Sequence, residues 1–471
     1  MTQRTENFQT FIIPDQIGGL LSRPEPTEEE FDLVIKKALR LKGLNREDVA
    51  ILLNSHNPDR LAKLLAAAGK IKNAIYGHRL VLFAPLYIGN RCSNDCTYCS
   101  FRVSNTAMAR TSLNADEIRE ETKALLAEGH KRILLLAGET NEESVDRFIE
   151  AIHTIYDVSH TSPRTGKIST IRRINVEIAP LTTEDFRILK TAKIGTYACF
   201  QETYDPEFYA RCHPKGKKSD YLWRLSVMDR AMQAGIDDVG IGALFGLGDW
   251  RFEILGLLEH AHHLEKIFGC GPHTVSIPRI EPAEGAPDAL HVPNPVSDDE
   301  FRQIVAILRL ALPYTGIILS TRETAVLRNE LFKYGVSQIS AGSRTNPGAY
   351  SHTSGTGSQF QLGDHRSLAE VIMELAQHGY IPSFCTGCYR KGRVGADFMD
   401  LAKPGLIKRF CEPNALFTFQ EYLEDFGNEA LAQSVTKIVD PFIQSLPDDA
   451  IRQKVKMGLI KITEGERDVY L

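Results

Sequence analysis

The stretch LVLFAPLYIGNRCSNDCTYCS, residues 80–100, carries a strand signal and a ligand signal end to end. Residues 80–88 are a β-rich run, and Cys92, Cys96 and Cys99 follow it in a Cys-x3-Cys-x2-Cys spacing. Outward from here, seven more short β-rich runs alternate with helical stretches. They are KRILLLA (131–137), IRRINVEI (171–178), GTYACFQE (195–202), DDVGIGALF (237–245), HTVSIPRI (273–280), GIILST (316–321) and VSQISA (336–341). Strands spaced by helices in this way are expected to run parallel with right-handed crossovers. Residues 80–341 span 262 positions, close to the roughly 250 of a (β/α)8 barrel. An open doubly wound sheet is the alternative, but no Gly-x-Gly-x-x-Gly follows the first run, and GALFGLGDW (242–250) is a weak dinucleotide fingerprint. The prediction is an α/β protein built on a (β/α)8 barrel of TIM type.

Residues 1–79 read as a helical N-terminal extension, with amphipathic patterns in 27–43, 45–55 and 58–77. Capping boxes are expected at Asn114 with Glu117, Thr140 with Glu143, Thr182 with Asp185 and Ser297 with Glu300. The barrel is placed at 80–344. A Gly/Ser/Thr-rich loop follows, then a helix near 367–379, then IPSFCTGCYRKGRVG (381–395) and mostly helical sequence, so 345–471 is taken as a C-terminal region. A formal net charge of −5 gives no support to a nucleic-acid or anionic-membrane partner. No apolar run reaches the ~18 residues of a membrane span, and the start has no basic-then-apolar leader pattern. A cytoplasmic protein is expected. Nine cysteines are too few for a disulfide scaffold, and six of them form two triplets. In a reducing compartment such clusters read as metal ligands or redox groups.

The first triplet would lie on the loop after strand one, at the rim where barrels of this kind keep their active sites. Closed zinc and iron–sulfur sites take four ligands. Three thiolates can hold three irons of a four-iron cluster and leave the fourth open to a chelating ligand. A zinc knuckle completed by a distant His, or unligated thiols, are the alternatives.

At these residues the chain resembles the radical S-adenosylmethionine (SAM) enzymes, whose signature is this spacing with an aromatic before the last Cys, here Tyr98. The resemblance implies a 4Fe-4S cluster on Cys92, Cys96 and Cys99, with SAM on its open iron as the source of a 5′-deoxyadenosyl radical. It also implies that Gly138 and Glu139, in LAGET, contact the methionine amine. Arg224 would grip the SAM carboxylate, and the glycine-rich GIGALFGLGD, Gly242 included, would pack near the adenine. Local alternatives stand beside these roles: a helix N-terminal acid for Glu139 and a solvated helix arginine for Arg224.

The second triplet, Cys385, Cys388 and Cys411, is spaced Cys-x2-Cys-x22-Cys. A structural zinc with one remote ligand is possible. No His-x3–5-His or second Cys-x2-Cys lies in the C-terminal region, so a second cluster with an open iron is more economical. The two triplets together resemble the tyrosine lyases of FeFe-hydrogenase maturation, the HydG family. The barrel, through QETYDPEFY, SIPRIEPAEG and LSTRETAVLR, also resembles the thiazole-pathway tyrosine lyase, 2-iminoacetate synthase.

The resemblance implies cleavage of the Cα–Cβ bond of L-tyrosine to p-cresol and dehydroglycine. At a second 4Fe-4S cluster, one carrying an extra labile iron, the latter would give carbon monoxide and cyanide. An electron donor such as a ferredoxin or flavodoxin and an acceptor maturation protein are implied as partners. Charged residues at the strand ends suit a zwitterionic substrate: Ser320, Arg322 and Glu323 after strand seven, Arg279 and Glu281 after strand six, and Ser340, Ser343 and Arg344 after strand eight. Arg322 suits the carboxylate as a bidentate partner. His273, at the start of strand six, is the expected ligand for the labile iron if the C-terminal region docks at the barrel end opposite the rim. His262 and His263 compete with it. A thiamine-pathway lyase with only the first step, and a non-enzymatic iron–sulfur scaffold, are the competing functions.

Overall fold

β1 (Arg79–Gly89) is buried along its whole length and organises the sheet. The computed structural model describes residues 8–140, 144–352, 357–446 and 449–471. β2 (Arg132–Ala137) pairs with β1 from Ala84 onward. The chain then adds an antiparallel ribbon, β3 (Ser159–Thr161) with β4 (Ile168–Thr170). The barrel continues through β5 (Arg173–Glu177), β6 (Tyr197–Ala198), β7 (Val239–Gly242), β8 (Thr274–Ser276), β9 (Gly316–Leu319) and β10 (Gln338–Ser340). β10 pairs back onto β1 at Val81–Phe83. Among the described residues, eight parallel strands thus close a barrel in the order β1-β2-β5-β6-β7-β8-β9-β10. Each coincides with one of the eight β-rich runs.

The runs overstate regular pairing. The stretch 195–202 keeps only Tyr197 and Ala198 as regular strand, although amide hydrogen bonds continue in step from Cys199 to the Gly240 carbonyl (3.1 Å) and from Gln201 to the Gly242 carbonyl (3.1 Å). Glu202 then turns to a left-handed backbone (φ 72°), its carbonyl accepting from the Leu244 amide (2.7 Å). The barrel interior is also unusually polar. Asn175, Glu177, Thr196, Thr274, Ser276, Gln338 and Ser340 face a cavity where branched apolar side chains are the rule.

The three expected N-terminal helices form at Glu28–Ala38, Arg46–Leu53 and Pro58–Tyr76, preceded by one at Pro14–Leu21 that the sequence reading did not include. Reciprocal caps form at Asn114/Glu117 and Ser297/Glu300. Thr182 caps its helix through the Asp185 amide alone, and the expected Thr140 pair involves Glu143, which lies outside the described residues. The segment after β10 first crosses the rim, where Thr345, Gln359 and Phe360 line a cavity. Helix Leu368–Gln377 then leads to β11 (Ile381–Ser383), which pairs with Arg79–Val81, the first residues of β1. The second cysteine triplet follows from there at the barrel's opposite end. Helix Lys408–Phe426 packs over β11 and presents Glu421 to Arg172 in a buried ion pair (3.0 Å). Among the described residues no helix is long and apolar enough to cross a membrane.

Candidate functional site

The first cysteine loop is fixed to its surroundings mainly by backbone. The Ser93 amide donates to the Glu139 carbonyl (2.7 Å), Asp95 to Lys215 (3.0 Å) and Thr97 to Cys212 (3.1 Å). Arg102 and Ser104 bind the Asp95 carboxylate, and Arg102 foremost holds its pKa down at about 2. A Cβ at Gly138 would overlap the Arg91 carbonyl, so only glycine lets β2 end this close to the loop. Cys92, Cys96 and Cys99 then line a cavity of about 120 Å³ with Asn94, Gly138, Glu139, Lys218 and Arg224. Burial raises the thiols of Cys92 and Cys99 and pushes Cys96 up to about 12. They are neutral thiols until a metal takes their protons. Among the described residues no three His, Cys, Asp or Glu side chains converge on a single ion. The thiols ring a space, and that donor set fits a thiolate-bound cluster.

Glu139 and Arg224 both reach this cavity. Glu139 accepts from Asn94 (2.9 Å), and the buried Arg224 donates to the Phe200 carbonyl (2.6 Å) with Glu202 3.7 Å away, so it is no solvated helix arginine. Against burial, Lys218 and Arg224 hold the Glu202 carboxyl below its ordinary value. Tyr98 forms the partition to the barrel interior, its hydroxyl 2.8 Å from His213 Nε2. Gly242 does not line the cavity. A Cβ there would meet the Phe200 ring (2.7 Å) and the Ser276 carbonyl (2.8 Å), so its role is to make room for Phe200. A further thiol, Cys199, lines the cavity beside Arg224 and was not anticipated.

Beyond Tyr98 lies a second cavity, about 140 Å³, inside the barrel mouth. Arg322 lines it with its guanidinium stacked 3.3 Å from the Phe360 ring centre, and Ser320, Ser340 and Ser343 line it too. Arg279 and Glu323 do not. They pair with each other (Arg279 Nε to Glu323 Oε1, 3.0 Å), and Arg279 also meets Asp298 at 2.9 Å, so their charges are spent on holding the rim together. Glu281 and Arg344 also stay off the wall. Missing from the sequence reading were Tyr87, Glu177, Glu202 and Gln359, which line both cavities. Glu177 had a usable signal, an acid closing a barrel strand.

At the opposite end, Cys385, Cys388 and Cys411 line a cavity of about 50 Å³ with His273, Arg79, Arg132 and Gln338. Gln338 also lines the upper cavity. The Gly387 amide donates to Cys385 Sγ (3.2 Å), and Arg132 donates to the Cys385 carbonyl (2.6 Å). Cys388, then Arg79 working against burial, lower the Cys411 thiol. Arg79 Nε and Arg132 Nε are buried without a hydrogen-bond partner. These electropositive surroundings fit thiolates carrying an anionic cluster. His273 stands 3.5 Å from Asp238 and packs on Phe398, and burial lowers its pKa, leaving the neutral imidazole that binds metals. His263 is bound to Asp229 (2.7 Å) and stacked on Phe11 of the N-terminal extension; neither it nor His262 lines the lower cavity.

Two family models match the chain: the radical SAM superfamily over residues 86–261 and the biotin and thiamin synthesis associated domain over 276–381. The chain is 32% identical over 350 residues to 2-iminoacetate synthase of Salmonella typhimurium, covering 74% of this chain and 89% of that protein. Among solved structures it is similar to HydG, a maturase of the [FeFe]-hydrogenase, at 44% identity and TM-score 0.93, covering 98% of this chain and all of that one. HydG from Carboxydothermus hydrogenoformans matches at 43% identity and TM-score 0.80, covering 94% and 96%.

Proposed function

The chain belongs to the radical SAM superfamily, in the family of the FeFe-hydrogenase maturase HydG and its 2-iminoacetate synthase relatives, and from that premise we propose that it is a tyrosine lyase with a second processing site. It would cleave L-tyrosine between Cα and Cβ, releasing p-cresol, and convert the dehydroglycine fragment to carbon monoxide and cyanide for hydrogenase maturation. The observation that carries this reading is a pair of cysteine-lined cavities at opposite ends of one barrel.

With a 4Fe-4S cluster on Cys92, Cys96 and Cys99, and SAM on it, the upper site would supply a 5′-deoxyadenosyl radical. Glu139 and Arg224, which line the cysteine-loop cavity, would take the amine and carboxylate of SAM. Arg322, which lines the upper cavity, would take the carboxylate of tyrosine as a two-toothed fork. Tyr87, Tyr98 and Phe360 wall the upper cavity and keep water from the reacting carbon. Cys385, Cys388 and Cys411 would hold the second cluster, with His273 as ligand to its labile iron. A ferredoxin or flavodoxin would deliver the electron, and a maturation protein would accept the product.

The 2-iminoacetate synthase relative covers 74% of the chain, and its chemistry asks only for the upper site. Reconstituted protein incubated with SAM, L-tyrosine and a reductant is expected to release both p-cresol and carbon monoxide. p-Cresol without carbon monoxide would support the thiamine-pathway reading. Failure to release 5′-deoxyadenosine would leave a cluster scaffold.

A further inference from the structure

We propose that Glu177 binds the ammonium group of the amino-acid substrate in the upper cavity, an assignment that rests on reading that cavity as the tyrosine site. Glu177 is the last residue of β5, at the rim where barrel strands present their functional groups. It lines both the upper cavity and the cysteine-loop cavity, at the junction between them. Its paired neighbours across the sheet, Leu136 and Ala198, offer its carboxylate nothing polar.

The charges facing Glu177 are Glu202, Lys218, Arg224 and Arg322. Most are already matched. Lys218 binds Glu202 at 2.6 Å, and Arg224 is held by the Phe200 carbonyl and Glu202. Glu202 already carries Lys218 on Oε1, with Arg224 3.7 Å from the same oxygen, so its charge is matched where that of Glu177 is not. Glu139, the other nearby acid, is bound by Asn94 and does not line the upper cavity. Among the described charged residues that line the upper cavity, this leaves two without an ionic or hydrogen-bonding side-chain partner: the Glu177 carboxylate and the Arg322 guanidinium, which has only the Phe360 ring.

They come from different strand ends and form no ion pair with each other. Unpaired charge is costly away from water. One acid and one guanidinium that face the same cavity from strands four places apart in the eight-strand ring are the complement of a zwitterion. A ligand that brings an ammonium and a carboxylate settles both at once. Burial first, then the Glu202 carboxylate, pushes the Glu177 carboxyl up to about 7, so near neutral pH it is only partly ionised, and a cation beside it would favour the charged form.

The test uses reconstituted protein with SAM and two probes, L-tyrosine and 3-(4-hydroxyphenyl)propionate, which lacks the amine. Equilibrium dialysis of wild type is expected to show a preference for tyrosine of about tenfold or more, the worth of one charge-assisted contact. In Glu177→Gln the preference should shrink to about twofold, through weaker tyrosine binding alone, with SAM affinity unchanged. Glu177→Asp should fall between the two. Arg322→Ala should weaken both probes together. A full tyrosine preference in Glu177→Gln overturns the assignment. So does a loss of SAM affinity with tyrosine binding intact, which would give Glu177 to the cysteine-loop cavity. If neither probe binds wild type, the amino-acid reading of the cavity has failed and the assignment falls with it.

Discussion

At Gly138 the chain leaves β2 so close to the cysteine loop that a methyl group would overlap the Arg91 carbonyl. Arg91 precedes Cys92, so any relief of that overlap moves a metal ligand, and metal sites tolerate displacements of only about 0.2 Å. Gly138→Ala is therefore expected to cost about 1–3 kcal/mol of stability, as overpacking does, and to reduce iron bound at the first site. Iron analysis and urea unfolding would check this, and normal iron content would show that the loop yields freely. The cysteine triplet was legible because its spacing is a local property of sequence, whereas Gly138 and Glu139 came from the resemblance to radical SAM enzymes; both line the cysteine-loop cavity. Arg224 was not settled by sequence, because its burial depends on packing under Phe200. For Arg279 and Glu323 the sequence left substrate contact and rim salt bridging open, because the partner that each meets at the rim lies 44 residues away in the chain. Glu177 was passed over because in IRRINVEI (171–178) it is one polar residue among four, and sequence does not show which of them faces the barrel interior.

Helix Lys408–Phe426 of the C-terminal region is held to the barrel by a buried electrostatic contact as well as by its apolar side. Arg172 and Glu421 retain only 6% and 3% of their side-chain exposure and pair directly, with Asp468 3.3 Å from Arg172. Breaking such a pair leaves an uncompensated charge and costs about 3–5 kcal/mol, whereas replacing both partners by apolar groups of like volume is often nearly neutral. Glu421→Ala should thus be strongly destabilising in urea unfolding, and Arg172→Met with Glu421→Leu should recover part of the loss, because the buried Lys131, 3.9 Å from Glu421, still loses its anion. An unchanged midpoint for Glu421→Ala would mean that water reaches Arg172. The elements themselves were unevenly legible. Long runs between helices announced all eight barrel strands, but not where regular pairing stops, which at β6 is after Ala198. β3, β4 and β11 are three residues each, too short for a period to show. β11 also contains Pro382, a residue that argues against a strand unless the strand sits at an edge, as this one does against β1 alone.

Across the whole molecule, parallel strands give the barrel two chemically different ends. Strand C-termini gather around Cys92, Cys96 and Cys99, and strand N-termini gather around Cys385, Cys388 and Cys411, with Gln338 lining the cavities on both sides. The sequence reading set the second triplet at the end opposite the rim only on the condition that the C-terminal region docks there, and the means of docking, β11 pairing with Arg79–Val81, was not legible. That separation makes the two halves of the proposed chemistry divisible by mutation. Cys385→Ser with Cys388→Ser removes two of three thiol ligands below, and one thiolate does not hold a cluster. The upper ligands, Arg322 and Glu177 are untouched. Reconstituted double variant should bind about half the wild-type iron, release p-cresol from tyrosine, and yield almost no carbon monoxide. Loss of p-cresol with the upper cluster spectroscopically intact would mean that the C-terminal region shapes the tyrosine site across the barrel, through Gln338 or the backbone beside it. Undiminished carbon monoxide would reduce Cys385, Cys388 and Cys411 to a structural metal site, and the buried, unpartnered Nε atoms of Arg79 and Arg132 would then need another anion to face.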